Sequence, residues 1–144
     1  MKFKFKFESL LKIKQQLENQ KKAEYGKALQ VLEELKNVKK GKEEEQKLNI
    51  KNANEKASGS LSVKAMVEFQ NYTTFLDNKI KEIQKSINVE EKNVDIKREE
   101  LVVAVKERKT LEKLKEKALE DYKKEELKEE QLRVDEINSY KYSK

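Results

Sequence analysis

The chain has 144 residues, 43% charged and 35% hydrophobic, with a net charge of +6, three glycines and no proline, cysteine, histidine or tryptophan. Lacking His and Cys, it has neither the commonest metal ligands nor thiol nucleophiles nor neutral-pH bases, so no metal or cofactor is expected and an enzyme is the least favoured class. A compact domain of this length would be nearly half apolar, whereas Glu, Lys and Leu with almost no breakers point to long helices.

The opening MKFKFKF alternates Lys with Phe as a strand would, but no other segment alternates over so many residues, and a lone strand would have no partner. In helical geometry Phe3, Phe7 and Leu10 or Leu11 share a face. The segment therefore reads as a frayed or helical lead-in packed on the second helix, with a basic, aromatic binding arm as the other reading. From Phe7 the apolar positions fall at helical spacing: Phe7, Leu10, Leu17, Ala28, Val31, Leu35 and Val38, interrupted by Lys14, Lys21 and Glu24. This sets a first helix over about 4–55. Asn, Ser and Gly then accumulate towards Ser58-Gly59-Ser60, and a turn is expected at about 56–61, with Gly free to take positive φ and Ser able to cap the second helix.

The second helix, about 62–138, has the stronger heptad pattern: Phe69, Leu76, Ile80, Ile83, Ile87, Val94, Leu101, Ala104 and Leu111, with Glu90, Lys97 and Arg108 as polar interruptions. Surface pairs such as Glu8 with Lys12 and Glu18 with Lys22 add about 0.2–0.5 kcal/mol each. Neither helix can bury its stripe alone. The expected fold is all-α: one coiled-coil hairpin over 1–144, two long antiparallel helices, the second longer. Folding about Gly59 sets Leu17 opposite Leu101, Val31 opposite Ile87, Leu35 opposite Ile83 and Val38 opposite Ile80. Residue 1 then reaches about residue 117, leaving a C-terminal overhang of roughly 30 Å at 1.5 Å per residue. The overhang either frays or docks onto something.

Residues 1–42 hold 12 Lys against 5 Glu, whereas the remainder is close to neutral. Lys2, Lys4 and Lys6 would stand beside Arg108, Lys109, Lys113, Lys115 and Lys117 as a basic collar at the open end of the hairpin, unless these form an ordinary solvated face. Arg108, on the seam, could instead satisfy a residue such as Glu8. Phe69 and Leu76 fall on the seam and read as core, while Tyr72 and Phe75 lie beside it and suit contact with a partner. Opposite them, Lys42, Glu45 and Asn49 offer no apolar match.

The start Phe5, Phe7, Leu10, Leu11 and Ile13, the aromatic patch FQNYTTFL from Phe69 to Leu76, and VKERKTLEKLKEKALEDY from Val105 to Tyr122 resemble the FliJ family over nearly the whole chain. These are small coiled-coil components of the bacterial flagellar type III export apparatus, similar to the stalk γ subunit of rotary ATP synthases. The resemblance implies that the open end enters the ring of the export ATPase FliI and promotes its assembly and activity. Phe7, Leu11, Arg108, Lys109, Lys113, Lys117 and Tyr122 are the candidates for that contact. It further implies that the middle of the hairpin meets the export gate protein FlhA, here through Phe69, Tyr72, Phe75 and Leu76, and that export chaperones are escorted. The implied location is cytoplasmic, peripheral to the cytoplasmic membrane through the export apparatus.

No apolar run is long enough for a signal sequence or membrane span, so direct membrane insertion is not expected. The alternative from another class is a homo-oligomeric structural tether or spacer. Nucleic-acid binding is disfavoured because the lysines are dispersed among acids without a stacking platform.

Overall fold

A computed structural model of the chain describes residues 2–57, 59 and 62–142. Two helices, α1 (Glu8–Ala57) and α2 (Val63–Tyr142), pack against each other as a hairpin, with no strand among the described residues. The second is the longer, 80 residues against 50.

The helix starts have local causes. Phe7 supplies the carbonyl that accepts from Leu11 N–H at 2.8 Å, and Glu8 N–H donates to the Phe5 carbonyl at 3.2 Å in a tight turn just before the helix. Residues 2–5 are not helical, so the opening segment is a lead-in of the non-helical kind and α1 starts at Glu8 rather than at about residue 4. The reason is electrostatic: Lys2, Lys4 and Lys6 would place positive charge at the positive end of the helix dipole, whereas Glu8 in the first turn complements it.

At the other end, Gly59 N–H donates to the Lys56 carbonyl at 3.1 Å. No described glycine has positive φ, so the conformational freedom expected of Gly59 is not drawn upon. Ser58 and Ser60 of the expected turn lie outside the described residues. The cap of α2 is Ser62, whose Oγ accepts from Ala65 N–H at 3.1 Å while its carbonyl accepts from Met66 N–H at 3.1 Å.

The chain divides into two compact units, Met1–Lys21 with Leu101–Lys144, and Lys22–Glu100. In the first, Leu11, Ala104 and Leu111 are buried; in the second, Ala28, Leu76, Ile87 and Val94 are. No polar residue is buried among those described. Each core is therefore a single thin stripe, and hydrophobic burial has to be supplemented by cross-helix polar contacts.

Those contacts set the register. In the first unit Lys14 Nζ lies 2.9 Å from Glu107, Lys115 Nζ lies 2.9 Å from Glu8, and Arg108 holds Glu18. In the second, Lys97 lies 3.5 Å from Glu24, Lys39 Nζ donates to Gln84 at 2.6 Å, and Asn49 donates to Thr73 Oγ1 at 3.2 Å. These contacts put α1 residues against α2 residues later than the expected pairing of Leu17 with Leu101 or Val31 with Ile87, by three to five positions in all but the long Arg108–Glu18 contact, where the offset is eight. A slip of about one turn keeps the same faces together, so apolar spacing alone does not distinguish the two registers. The polar interruptions do, because the observed register gives Lys14, Glu24, Lys97 and Arg108 opposite charges as partners. Arg108 satisfies an α1 carboxylate, as its place on the seam allows, but that carboxylate is Glu18, and Glu8 pairs with Lys115. Val38, expected on the seam, is 51% exposed, and the half-buried position is Lys39.

Candidate partner-binding surfaces

The first surface belongs to the unit that contains both chain termini. Glu8 starts α1 only after the turn at Phe5, so residues 2–7 leave the helix axis and their aromatic rings lie against α2. The Phe3 and Tyr122 rings are 5.5 Å apart and tilted by 52°. Phe5 and Phe7 meet edge to face at 5.9 Å, and Lys6 Nζ sits 5.6 Å above the Phe7 ring. A shallow groove of about 710 Å³ results, with Phe3, Phe7, Leu114 and Tyr122 on its apolar side and charged side chains, Lys117 and Glu125 among them, completing the lining.

The candidates at this end divide by role. Leu11 is 3% exposed and holds the two helices together instead of meeting solvent, while Phe7 is 41% exposed at the groove. Arg108 is committed within the chain, to Glu18 and through Nη1 to Glu112 at 2.8 Å. The hydrogen bond to Glu18 is the first cause holding its guanidinium above its ordinary pKa, opposed by partial desolvation. Lys109, Lys113 and Lys117 are exposed, and at four-residue spacing they share one face of α2. Beyond Tyr122 every described position of α2 to Tyr142 is exposed, including Leu127, Leu132, Val134 and Ile137.

The second surface lies in the unit Lys22–Glu100. Tyr72 and Phe75 are exposed and stacked, with ring centroids 6.3 Å apart and planes 20° from parallel, and Lys79 Nζ stands 5.7 Å over Phe75. The Tyr72 hydroxyl donates to Glu45. That bond is the first cause of two shifts, the Glu45 carboxyl held below and the Tyr72 phenol held above their ordinary values. Phe69 is half-buried and Leu76 is fully buried. The division between seam and flank read from the spacing is the one observed.

Tyr25 widens the apolar stripe of α1 by its spacing, but sequence reasoning missed its contact with Arg98, whose Nε donates to the Tyr25 hydroxyl at 3.3 Å with the guanidinium 5.7 Å from the ring centroid. It also missed Gln46, which donates to Asp77 at 2.6 Å. Glu18 read as a surface partner of Lys22, yet it reaches across to Arg108. Its signal was present: Glu18 lies four residues after Lys14, the spacing that puts two side chains on one helix face.

The family model of the flagellar FliJ protein matches residues 3–144. The chain belongs to the FliJ family. No curated protein and no solved structure matches it. Membership makes it a component associated with flagellar protein export. Among the described residues no helix is long and apolar enough to cross a membrane, and no group of three or more His, Cys, Asp or Glu could hold a metal ion.

Proposed function

We propose that this FliJ-family chain acts as the stalk of the flagellar export ATPase. Its terminal end would insert into the ATPase ring and promote ring assembly and activity, while the Tyr72–Phe75 surface engages the membrane export gate and export chaperones are carried to the same apparatus. The chain performs no catalysis itself in this reading and would associate with the cytoplasmic membrane only through its partners. The observation that carries the proposal is the stretch of α2 after Tyr122, where Leu127, Val134 and Ile137, at steps of seven and three residues on one face, are between 49% and 66% exposed on a continuous helix. Apolar side chains at such spacing gain from burial against a partner.

The test is reconstitution with the cognate export ATPase. Adding the chain should raise the hydrolysis rate and the hexamer population, and truncation after Tyr122 should remove both effects. Tyr72→Ala with Phe75→Ala should leave stimulation intact and weaken capture of the gate protein. An ATPase indifferent to the intact chain would overturn the stalk reading and favour a homo-oligomeric tether.

A further inference from the structure

Between Lys39 and Ala53 the inner face of α1 is almost entirely polar. The half-buried positions there are Lys39, Lys42, Glu45, Gln46, Asn49 and Ala53, while Val38, Leu48 and Ile50 are 51%, 57% and 43% exposed and point away from the seam. Across from this face α2 presents Phe69, Leu76, Ile80 and Ile83, a helical stripe whose centre, Leu76, is the largest fully buried side chain among the described residues. The hydrogen-bond partners of Gln46 bracket Leu76 in sequence: its Nε2 donates to Asp77 at 2.6 Å and, more distantly, to the Thr73 carbonyl at 3.5 Å. Its Oε1 is buried without a partner. Asn49 donates to Thr73 Oγ1, and Tyr72 to Glu45.

This pairing is mismatched. The hydrogen bonds that hold α1 here exchange for bonds to water when the helix lifts, so they oppose opening weakly, and an unsatisfied buried carbonyl gains a partner on opening. The α2 stripe loses its cover on opening and would be served better by apolar side chains. Elsewhere in the same unit the seam buries Ala28, Ile87 and Val94, and its polar interruption is an opposite-charge pair, Glu24 with Lys97 at 3.5 Å.

We propose that residues 39–53 of α1 form a displaceable cover, and that the α2 stripe beneath takes an amphipathic helix presenting apolar residues at three- and four-residue steps. Displacement would add Phe69 and Leu76 to the exposed Tyr72–Phe75 surface, making one apolar face from four side chains of which two are otherwise withheld. Identifying the occupant as an export-gate element rests on the proposed function; the opening itself rests on the packing alone.

The chain contains no cysteine, so single thiols report cleanly. When opening and closing are fast relative to labelling, the rate of thiol modification reads the population of the open state. The L76C variant should be labelled at least about tenfold faster than I87C, although Leu76 is 0% and Ile87 3% exposed. Gln46→Leu in the L76C background, by giving the cover an apolar contact, should slow labelling several-fold. Hydrogen exchange on the unaltered chain guards against a packing defect introduced by the thiol, and amides of residues 42–53 should exchange at least about tenfold faster than those of 24–35. A synthetic peptide of residues 36–57 carrying Lys42→Leu, Gln46→Leu and Asn49→Leu should bind the chain and protect amides of 69–80, whereas the unsubstituted peptide should not. Equal exchange in the two α1 segments with equal labelling at positions 76 and 87 would overturn the cover. Opening without binding of the substituted peptide would overturn the proposed occupant. Loss of ATPase stimulation would affect neither result, so failure of the stalk reading and failure of this inference are separable.

Discussion

Arg108 of α2 grips Glu18 of α1 with two guanidinium nitrogens, Nε on Oε2 and Nη2 on Oε1 at 3.3 Å, while Nη1 holds Glu112 at 2.8 Å. The fork is more sheltered than the neighbouring pair: side-chain exposure is 21% and 12% for Arg108 and Glu18, against 28% and 43% for Lys14 and Glu107. A lysine cannot reproduce a planar two-nitrogen contact. Arg108→Lys should therefore lower the melting temperature almost as much as Arg108→Ala. A double-mutant cycle over Arg108 and Glu18 should give a larger coupling than one over Lys14 and Glu107. Melting followed by circular dichroism decides both, and an Arg108→Lys variant as stable as the parent would remove the fork from the account.

Gly26 and Gly41 lie inside α1, both exposed, and a Cβ added at either would meet nothing within 4 Å. Each weakens the helix through backbone freedom in the unfolded chain without any compensating close approach. Gly26→Ala and Gly41→Ala should each stabilise by about 0.5–1 kcal/mol, raising the melting temperature by a few degrees. The two effects should add, since the sites share no neighbours. If Gly41→Ala stabilises the fold but impairs partner binding, the glycine serves flexibility near the proposed cover.

The hairpin and the division of the aromatic patch were legible in the sequence because both depend on period alone. Leu76 and Phe69 fall on the stripe and Tyr72 and Phe75 beside it whatever the pairing of the helices. Register was less legible, since sliding α1 by about one turn keeps the same face of each helix inward. What distinguishes the registers is whether Glu24 finds Lys97 and Glu18 finds Arg108. Those residues were visible as seam interruptions, but long side chains span several offsets, and matching signs alone does not choose among them. The non-helical start was hidden for a different reason: Phe3 and Phe7 satisfy helical spacing, and only the repulsion between three lysines and a helix N-terminus argues against it. The polar inner face of α1 beyond Lys39 was legible, because Lys42, Glu45 and Asn49 offer no apolar match to the aromatic patch, whereas the outward direction of Val38 was not, since its spacing puts it on the stripe.

The bond from Tyr72 to Glu45 has a defined pH window. The Glu45 carboxyl is held below its ordinary value, so its contribution is present above the usual carboxylate range and is lost as pH falls through the lowered value. The Tyr72 phenol is held above its ordinary value, so its contribution is present below the usual phenol range and is lost as pH rises through the raised one. The contact should therefore persist from mildly acidic to moderately alkaline solution and break on either side. Glu45→Gln should bring the Tyr72 titration back down, as read from phenolate absorbance, because the charge that opposes deprotonation is gone. An unchanged titration would mean that the hydroxyl faces water. Tyr72→Phe should increase exchange of the amides in 42–53, since it removes one tie on the cover.

The two features of the terminal end should separate kinetically when the chain meets the export ATPase. Lys109, Lys113 and Lys117 are exposed on one face of α2. Charges of this kind act on encounter, and salt screens them over about 8–10 Å near physiological ionic strength. Replacing all three with Glu should slow association and reverse or abolish its salt dependence, with little change in the lifetime of the complex once formed. Removing residues 123–144 should do the opposite, leaving the association rate nearly intact and shortening the lifetime, because Leu127, Val134 and Ile137 can contribute only after docking. Since every described residue beyond Tyr122 is exposed, the truncation should leave the melting temperature almost unchanged. Surface-immobilised ATPase with stopped-flow controls at two salt concentrations measures both rates. A truncated chain that dissociates no faster than the intact one would show that the ring does not hold α2 by this stretch. If the charge-reversed chain also associates normally, the terminal end is not the surface that the ATPase reads.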